Sequence, residues 1–232
     1  MSTVYWRKPW NPIIGCTKCS EGCAHRYALA QAARMVRMGN KKYAEVLSGL
    51  EHPFDPVIWT GEVRIDEKAL TAPRHVRQPQ VYFTSMGDPF HTDVADGDLC
   101  SAWAVVEQLP RHTFLWCTKR PARMAAFFEQ CTPSSPNLWL GASVCVTSEW
   151  GPACAALARL KARGWHTWLS YEPALEEPDM EALATLRPDW VVVGAETGRD
   201  ARPMERNWWL RIEEWCQRYS TPLWTKALPR DG

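Results

Sequence analysis

Three cysteines fall within eight residues near the amino terminus, in the pattern Cys16-x-x-Cys19-x-x-x-Cys23-x-His25. Thiolates spaced two or three residues apart on a loop reach one soft metal centre, so the pattern suits zinc or an iron–sulfur cluster. A closed structural zinc site takes all four side chains, His25 included. A redox Cys-x-x-Cys needs a strand before it and a helix starting at it, whereas Pro12 and Gly15 mark this segment as a loop. Chance clustering in a chain with nine cysteines stands beside these readings. A three-thiolate [4Fe–4S] cluster with one open iron has the richest chemistry, because that iron can bind a substrate or S-adenosylmethionine. Spacing alone does not choose among them.

A second set of reactive residues follows a series of apolar runs. Ser85, Asp88 and His91 come after Val81–Thr84, and Lys119 and Arg120 after Thr113–Cys117. Ser143 follows Leu138–Gly141, Glu172 follows Thr167–Ser170, Glu196 follows Trp190–Val193 and Lys226 follows Pro222–Thr225, with Arg202 just beyond Glu196. Any one of these is explained by helix capping or a solvated turn. Six in register, with both charge signs, argue for a shared site. Lys119, Arg120, Arg202 and Lys226 suit a carboxylate or phosphate.

The runs that precede them are β-branched or aromatic and continuous, as strands buried on both faces are. Helical segments fit between them at Leu99–Leu109, Ala122–Gln130, Trp150–Arg163, Glu181–Leu186 and Trp208–Tyr219, and an earlier one opens at Tyr27 and runs toward Leu50, with Gly39-Asn40 able to interrupt it. Strand–helix alternation argues for a parallel α/β sheet with right-handed crossovers, here an incomplete (β/α)6 barrel forming one domain over residues 1–232. A seventh strand is expected before Cys16 or near residue 60. In such a barrel the carboxyl ends of the strands open onto one rim. A doubly wound open sheet competes, but no Gly-x-Gly-x-x-Gly or phosphate-loop pattern occurs.

Composition narrows the class. The 232 residues carry 27 Lys+Arg against 26 Asp+Glu, so no global basic field exists and nucleic-acid contact would need a local patch. A 46% hydrophobic and 23% charged content excludes a disordered or collagen-like chain. No apolar stretch is long enough to span a membrane, and Met1–Trp10 lacks a signal-peptide core, so a cytoplasmic protein with reduced thiols is expected. Cys117 and Cys145 sit within apolar runs and read as small buried hydrophobes. Fourteen Trp is roughly four times an average complement, more simply core and interface than base-stacking surface.

These landmarks together resemble a three-cysteine radical-SAM-like family of unknown function found in phages and bacteria. The resemblance rests on Trp10-Asn11-Pro12, Gly15-Cys16-Thr17-Lys18, Gly22-Cys23 and Tyr27-Ala28, then Ser85-Met86, Asp88, Phe90-His91 and Thr118-Lys119-Arg120-Pro121. It continues through Trp139-Leu140-Gly141, Ser143-Val144, Glu172-Pro173, Asp189-Trp190, Gly194, Glu196, Gly198, Ala201-Arg202-Pro203-Met204 and Lys226, covering about residues 6–226. It implies a radical-SAM-type barrel with the cysteine loop, at about 10–28, after the first strand. It implies a [4Fe–4S] cluster, cleavage of S-adenosylmethionine, a reductant protein as partner, and hydrogen abstraction or isomerisation. Related phage enzymes suggest an amino-acid-substituted thymidine in DNA as substrate. Ser85, Asp88, Ser143, Glu172 and Glu196 would then bind the cosubstrate, and His91, Lys119, Arg120, Arg202 and Lys226 an anionic group or the substrate.

One position departs from that family. Its cysteines correspond to Cys16, Cys23 and residue 26, and residue 26 here is Arg26. A guanidinium does not ligate iron. Cys19 is an extra thiol on the same loop, which makes Cys16, Cys19 and Cys23 the candidate ligands, with His25 as a substitute donor. The alternatives are a barrel without a cluster, acting as a binding module or partner subunit, and a zinc loop on a hydrolase-like α/β domain.

Overall fold

The computed structural model describes residues 5–24, 27–50, 52, 55–198, 200–226 and 228. The chain opens with β1 (Lys8–Pro9) and β2 (Ile13–Ile14), passes through the cysteine loop and a 3-10 turn over Glu21–Cys23, and enters α1 (Tyr27–Arg37). A 3-10 segment over Lys41–Val46, β3 (Leu47–Ser48), β4 (Ile58–Trp59), β5 (Arg64–Ile65) and α2 (Glu67–Thr71) follow. Alternation then becomes regular: β6 (Val81–Phe83), α3 (Asp96–Glu107), β7 (Thr113–Thr118), α4 (Pro121–Phe128) and β8 (Leu138–Val144). It ends with α5 (Thr147–Ala162), β9 (His166–Tyr171), α6 (Met180–Leu186), β10 (Trp190–Val193), α7 (Arg206–Tyr219) and β11 (Leu223–Thr225).

Seven strands form one parallel sheet in the order β1-β6-β7-β8-β9-β10-β11, curled into a half-barrel. Every connection between neighbouring strands carries at least one helix, as parallel pairing requires. The expected seventh strand is therefore the one before Cys16, only two residues long. The segments near residue 60 form separate antiparallel pairs instead, β2 with β5 and β3 with β4. Among the described residues no helix is long and apolar enough to cross a membrane.

The continuous apolar runs have a simple cause: the central strands β7 to β10 are covered on both faces. Phe114 and Trp116 of β7 and Val191 and Val193 of β10 belong to the core beneath the helices. Leu115 and Cys117, Val192 and Trp190 face a second cluster inside the curl, with Phe83, Trp139, Trp168 and Trp224. Tyr5 and Trp6 fill this lumen from the amino-terminal segment. The Tyr5 ring meets Phe83, Trp168 and Trp190 edge-on at centroid distances of 5.5, 5.8 and 5.0 Å.

The tryptophans thus divide mainly between these two cores, with Trp59 on a third, smaller cluster around Tyr43 and α1. Trp116, Trp150 and Trp168 are fully buried, and burying about 200 Å² of indole contributes roughly 5 kcal/mol of gross transfer energy each, before ordering costs. The indole nitrogens of Trp116, Trp150 and Trp165 lack a hydrogen-bond partner among the described residues. These rings are held for their volume, against a desolvation cost on their N–H.

Two boundaries differ from expectation in a way that matters for the site. β8 does not end at Gly141 but runs on to Val144, so Ser143 lies on the strand, opposite Ser170 of β9. The long early helix stops at Arg37, where Gly39, with φ of 87°, turns the chain.

Candidate functional site

A cavity of about 360 Å³ opens at the carboxyl ends of the strands. One wall is aromatic, made by Tyr5, Trp6 and Phe83, with Tyr27 beside it. The Tyr27 hydroxyl donates to the Ser85 carbonyl at 3.0 Å, which ties α1 to the end of β6. Around the rim stand hydroxyls from successive strands, Thr84 and Ser85, Thr118, Ser143 and Ser170. Charged groups complete it: Asp88, Lys119, Glu172, Glu196 and Lys226. Parallel register is what gathers them, since Ser143 stands opposite Ser170 and Thr118 opposite Ala142.

Lys226 and Glu172 form an ion pair across the cavity. The Tyr5 hydroxyl sits among burial, the Glu172 carboxylate and the Cys117 thiol, which together hold it protonated well above the usual tyrosine range. Cys117 therefore belongs to the cavity lining and is more than a filler of the sheet. Arg202 closes on Glu196 with two nitrogens, Nη2 to Oε1 at 2.6 Å and Nε to Oε2 at 2.9 Å, and its Nη2 also reaches the Glu21 carbonyl. It joins the cysteine loop to the end of β10, while Glu196 lines the cavity.

Arg120 and His91 lie outside the cavity lining and hold the cysteine loop from below. Arg120 Nη1 pairs with Asp88 Oδ2 at 2.8 Å, and Nη2 donates to Thr17 Oγ1 at 2.7 Å. Asp88 is further fixed by the Thr118 hydroxyl at 2.6 Å and the Phe90 N–H at 3.0 Å. The Asp93 N–H donates to His91 Nδ1, which leaves the proton on Nε2, facing Thr17 Oγ1 at 2.8 Å. Burial and the neighbouring Arg120 charge both lower the His91 pKa, in keeping with a neutral ring. Of the residues expected to meet an anion, His91, Arg120 and Arg202 are thus engaged in intramolecular contacts. Lys119 and Lys226 reach the cavity.

The cysteine loop forms part of the mouth through Gly22. Cys19 is exposed, whereas Cys16 and Cys23 are buried. Cys19 and Cys23 share a thiol hydrogen bond, which pushes the Cys19 thiol far above its usual range. Cys16 donates instead to the Thr17 carbonyl at 3.4 Å. Among the described residues no three Cys, His, Asp or Glu side chains converge as a metal site. His25 and Arg26 lie outside the described residues. The three thiols as arranged do not fit a three-thiolate cluster, since Cys19 is bonded to Cys23 and Cys16 turns to the Thr17 carbonyl.

Two features of the site go beyond what the sequence leads one to expect. The aromatic wall comes from Tyr5 and Trp6, which no strand or helix pattern marks. Cys145 is buried as expected, but it is more than a small hydrophobe: Lys119 Nζ stands 2.8 Å from its sulfur. The adjacency of β7 and β8 was the available signal, because both residues follow those strands.

The chain belongs to the family described as protein of unknown function (DUF5131), whose profile matches residues 1–229. A search of curated proteins finds no match to the sequence.

Proposed function

We propose that this member of the family binds a nucleoside carrying an amino-acid group, with S-adenosylmethionine the first candidate, in the cavity at the carboxyl ends of the strands. The observation that carries this reading is one cavity with an aromatic wall at one side and the Glu172–Lys226 pair at another. Its size falls in the ordinary range for small-molecule sites. Phe83 and Tyr5 offer a heterocycle a flat apolar partner. Ser85, Ser143 and Ser170 offer hydroxyls to a ribose. Glu172 suits an α-ammonium, and Lys226 with Lys119 suits an α-carboxylate, since charge-assisted hydrogen bonds are the strong ones. In this reading the chain is a barrel without a cluster, a binding module or partner subunit. Calorimetric titration of the reduced protein tests it: S-adenosylmethionine is expected to bind at one site, and adenosine and methionine each far more weakly. Equal binding of methionine alone, or no heat with any of the three, would overturn it.

A second reading is favoured by the position of the cysteine loop at the cavity mouth. It is a radical enzyme that acts on an amino-acid-substituted thymidine, with the loop thiols rearranged around an iron–sulfur cluster and a reductant protein as partner. Anaerobic reconstitution with iron and sulfide separates the two. A broad thiolate-to-iron absorption in the visible supports the enzyme. Its absence, together with binding of S-adenosylmethionine, supports the barrel without a cluster.

A further inference from the structure

Lys119 leaves the end of β7 and Cys145 follows the end of β8, so adjacent parallel strands bring an amine and a thiol to the same point of the rim. Lys119 Nζ and Cys145 Sγ are 2.8 Å apart, closer than an ordinary N–H to sulfur hydrogen bond. Several contacts pin Cys145. The Ser20 hydroxyl bonds to it, the Glu172 carbonyl lies at 3.6 Å, and the Glu149 carboxylate accepts the Cys145 N–H at 2.7 Å. Gly22 lies against both reactive atoms: a Cβ there would stand 2.2 Å from the sulfur and 3.1 Å from the nitrogen. Because Gly22 and Lys119 both line the cavity, a small oxidant entering it arrives beside the pair.

We infer that Lys119 and Cys145 form a covalent modification site, at which dioxygen joins the amine and the thiol through a single bridging oxygen. The gap is too wide for a direct sulfur–nitrogen bond and close to the span of a one-oxygen bridge, so the backbone need not move. The ammonium first gives a proton to solvent. The S–H and one N–H bond then break, and one dioxygen is reduced by four electrons. One of its oxygens forms the S–O and O–N bonds, and the other leaves as water with the two hydrogens. Sulfur and nitrogen together lose the four electrons. Such a bridge sits at the reducible end of cysteine oxidation, so a thiol reductant restores both side chains. Burial pushes the Cys145 thiol up and opposes the charge on Lys119, but the hydrogen bond to the sulfur and the Glu149 carboxylate hold Lys119 cationic, so the reduced pair keeps one cation at the cavity wall. The bridge removes that cation. Its formation does not rest on the ligand reading above.

Peptide mapping tests the inference. Protein prepared without dioxygen is compared with the same protein held in air, each unfolded in denaturant, alkylated and then digested, because Cys145 is buried in the folded chain. In air, Lys119 and Cys145 are expected in one joined peptide pair that has gained one oxygen and lost two hydrogens. Alkylation of Cys145 should then rise from a trace to near completion when a thiol reductant is added. Lys119→Arg, which keeps a charge beside the sulfur, and Lys119→Met, which fits the same space, are both expected to show no joined pair. Complete alkylation of Cys145 in air, with normal cleavage after Lys119, would overturn the inference. So would sulfinic acid on Cys145 with Lys119 unlinked, or the same joined mass in Lys119→Arg.

Discussion

Arg120 Nη1 stands 2.8 Å from Asp88 Oδ2 while its Nη2 holds Thr17 at 2.7 Å, so one guanidinium joins the loop after β6, the start of α4 and the cysteine loop. The two charges are well buried, with side-chain exposures of 13% and 4%. Together they tie the cysteine loop to the rim, where Asp88 and Gly22 line the cavity.

Removing one partner of this pair leaves an uncompensated buried charge. Asp88→Ala is therefore expected to cost about 3–5 kcal/mol of stability, read from urea unfolding. The double variant Asp88→Ala with Arg120→Met should recover part of that loss, because the stranded charge goes with it. Strict additivity of the two single effects would show that the pair is not coupled.

His91 gives the same network a pH dependence. Burial first, and then the Arg120 charge, lower its folded pKa below the usual 6.5. The unfolded chain therefore binds the proton more readily, and stability rises with pH through the window just below about 6.5. The stabilisation is complete above that value and is lost as pH falls toward the folded pKa. His112, also lowered by burial and then by Arg111, contributes with the same sign. His91→Gln should flatten the rise in unfolding free energy over roughly pH 5–7, and an unchanged slope would show that His91 does not titrate with folding.

Gly141 is the point where β8 lets an indole lie across the lumen. A Cβ there would stand 2.2 Å from the fully buried Trp168 ring, which also donates its N–H to the Trp139 carbonyl. Gly141→Ala is expected to destabilise the chain by about 1–3 kcal/mol through overpacking. Thermal unfolding measures it, and near-ultraviolet circular dichroism should report the displaced tryptophan. Wild-type stability in this variant would mean the lumen is looser than the packing described.

Glu172 and Lys226 are expected to govern affinity more than stability, since both reach the cavity and are only partly buried. Glu172→Gln and Lys226→Met should each weaken S-adenosylmethionine binding about tenfold, equivalent to roughly 1.4 kcal/mol. Arg202→Lys, which acts from outside the lining through Glu196, should weaken it less. Equal effects of all three would point to a general loosening of the rim.

Much of this architecture is legible from the chain alone. Trp190–Val193 reads as a strand because both its faces are covered, Trp190 and Val192 on the lumen and Val191 and Val193 beneath the helices. β1 is not legible in that way: Lys8 and Pro9 are exposed, and only their pairing with Tyr82 and Phe83 makes them a strand. The convergence of Ser85, Lys119, Glu172 and Lys226 follows from parallel strands sharing one rim. What the chain conceals is which of those groups are already spent. Nothing in the spacing says that Arg120 turns to Asp88 and Thr17, because that choice is made by the loop packed beneath it. Nor does any pattern place Tyr5 in the lumen, since a residue ahead of the first strand carries no periodicity.

The most direct measurement is a crystal structure of the reduced chain grown with S-adenosylmethionine. The heterocycle is expected against Phe83 and Tyr5, with the ammonium at Glu172 and the carboxylate at Lys226. Ligand density outside the rim cavity, or an empty cavity at saturating concentration, would contradict the binding role assigned to this site.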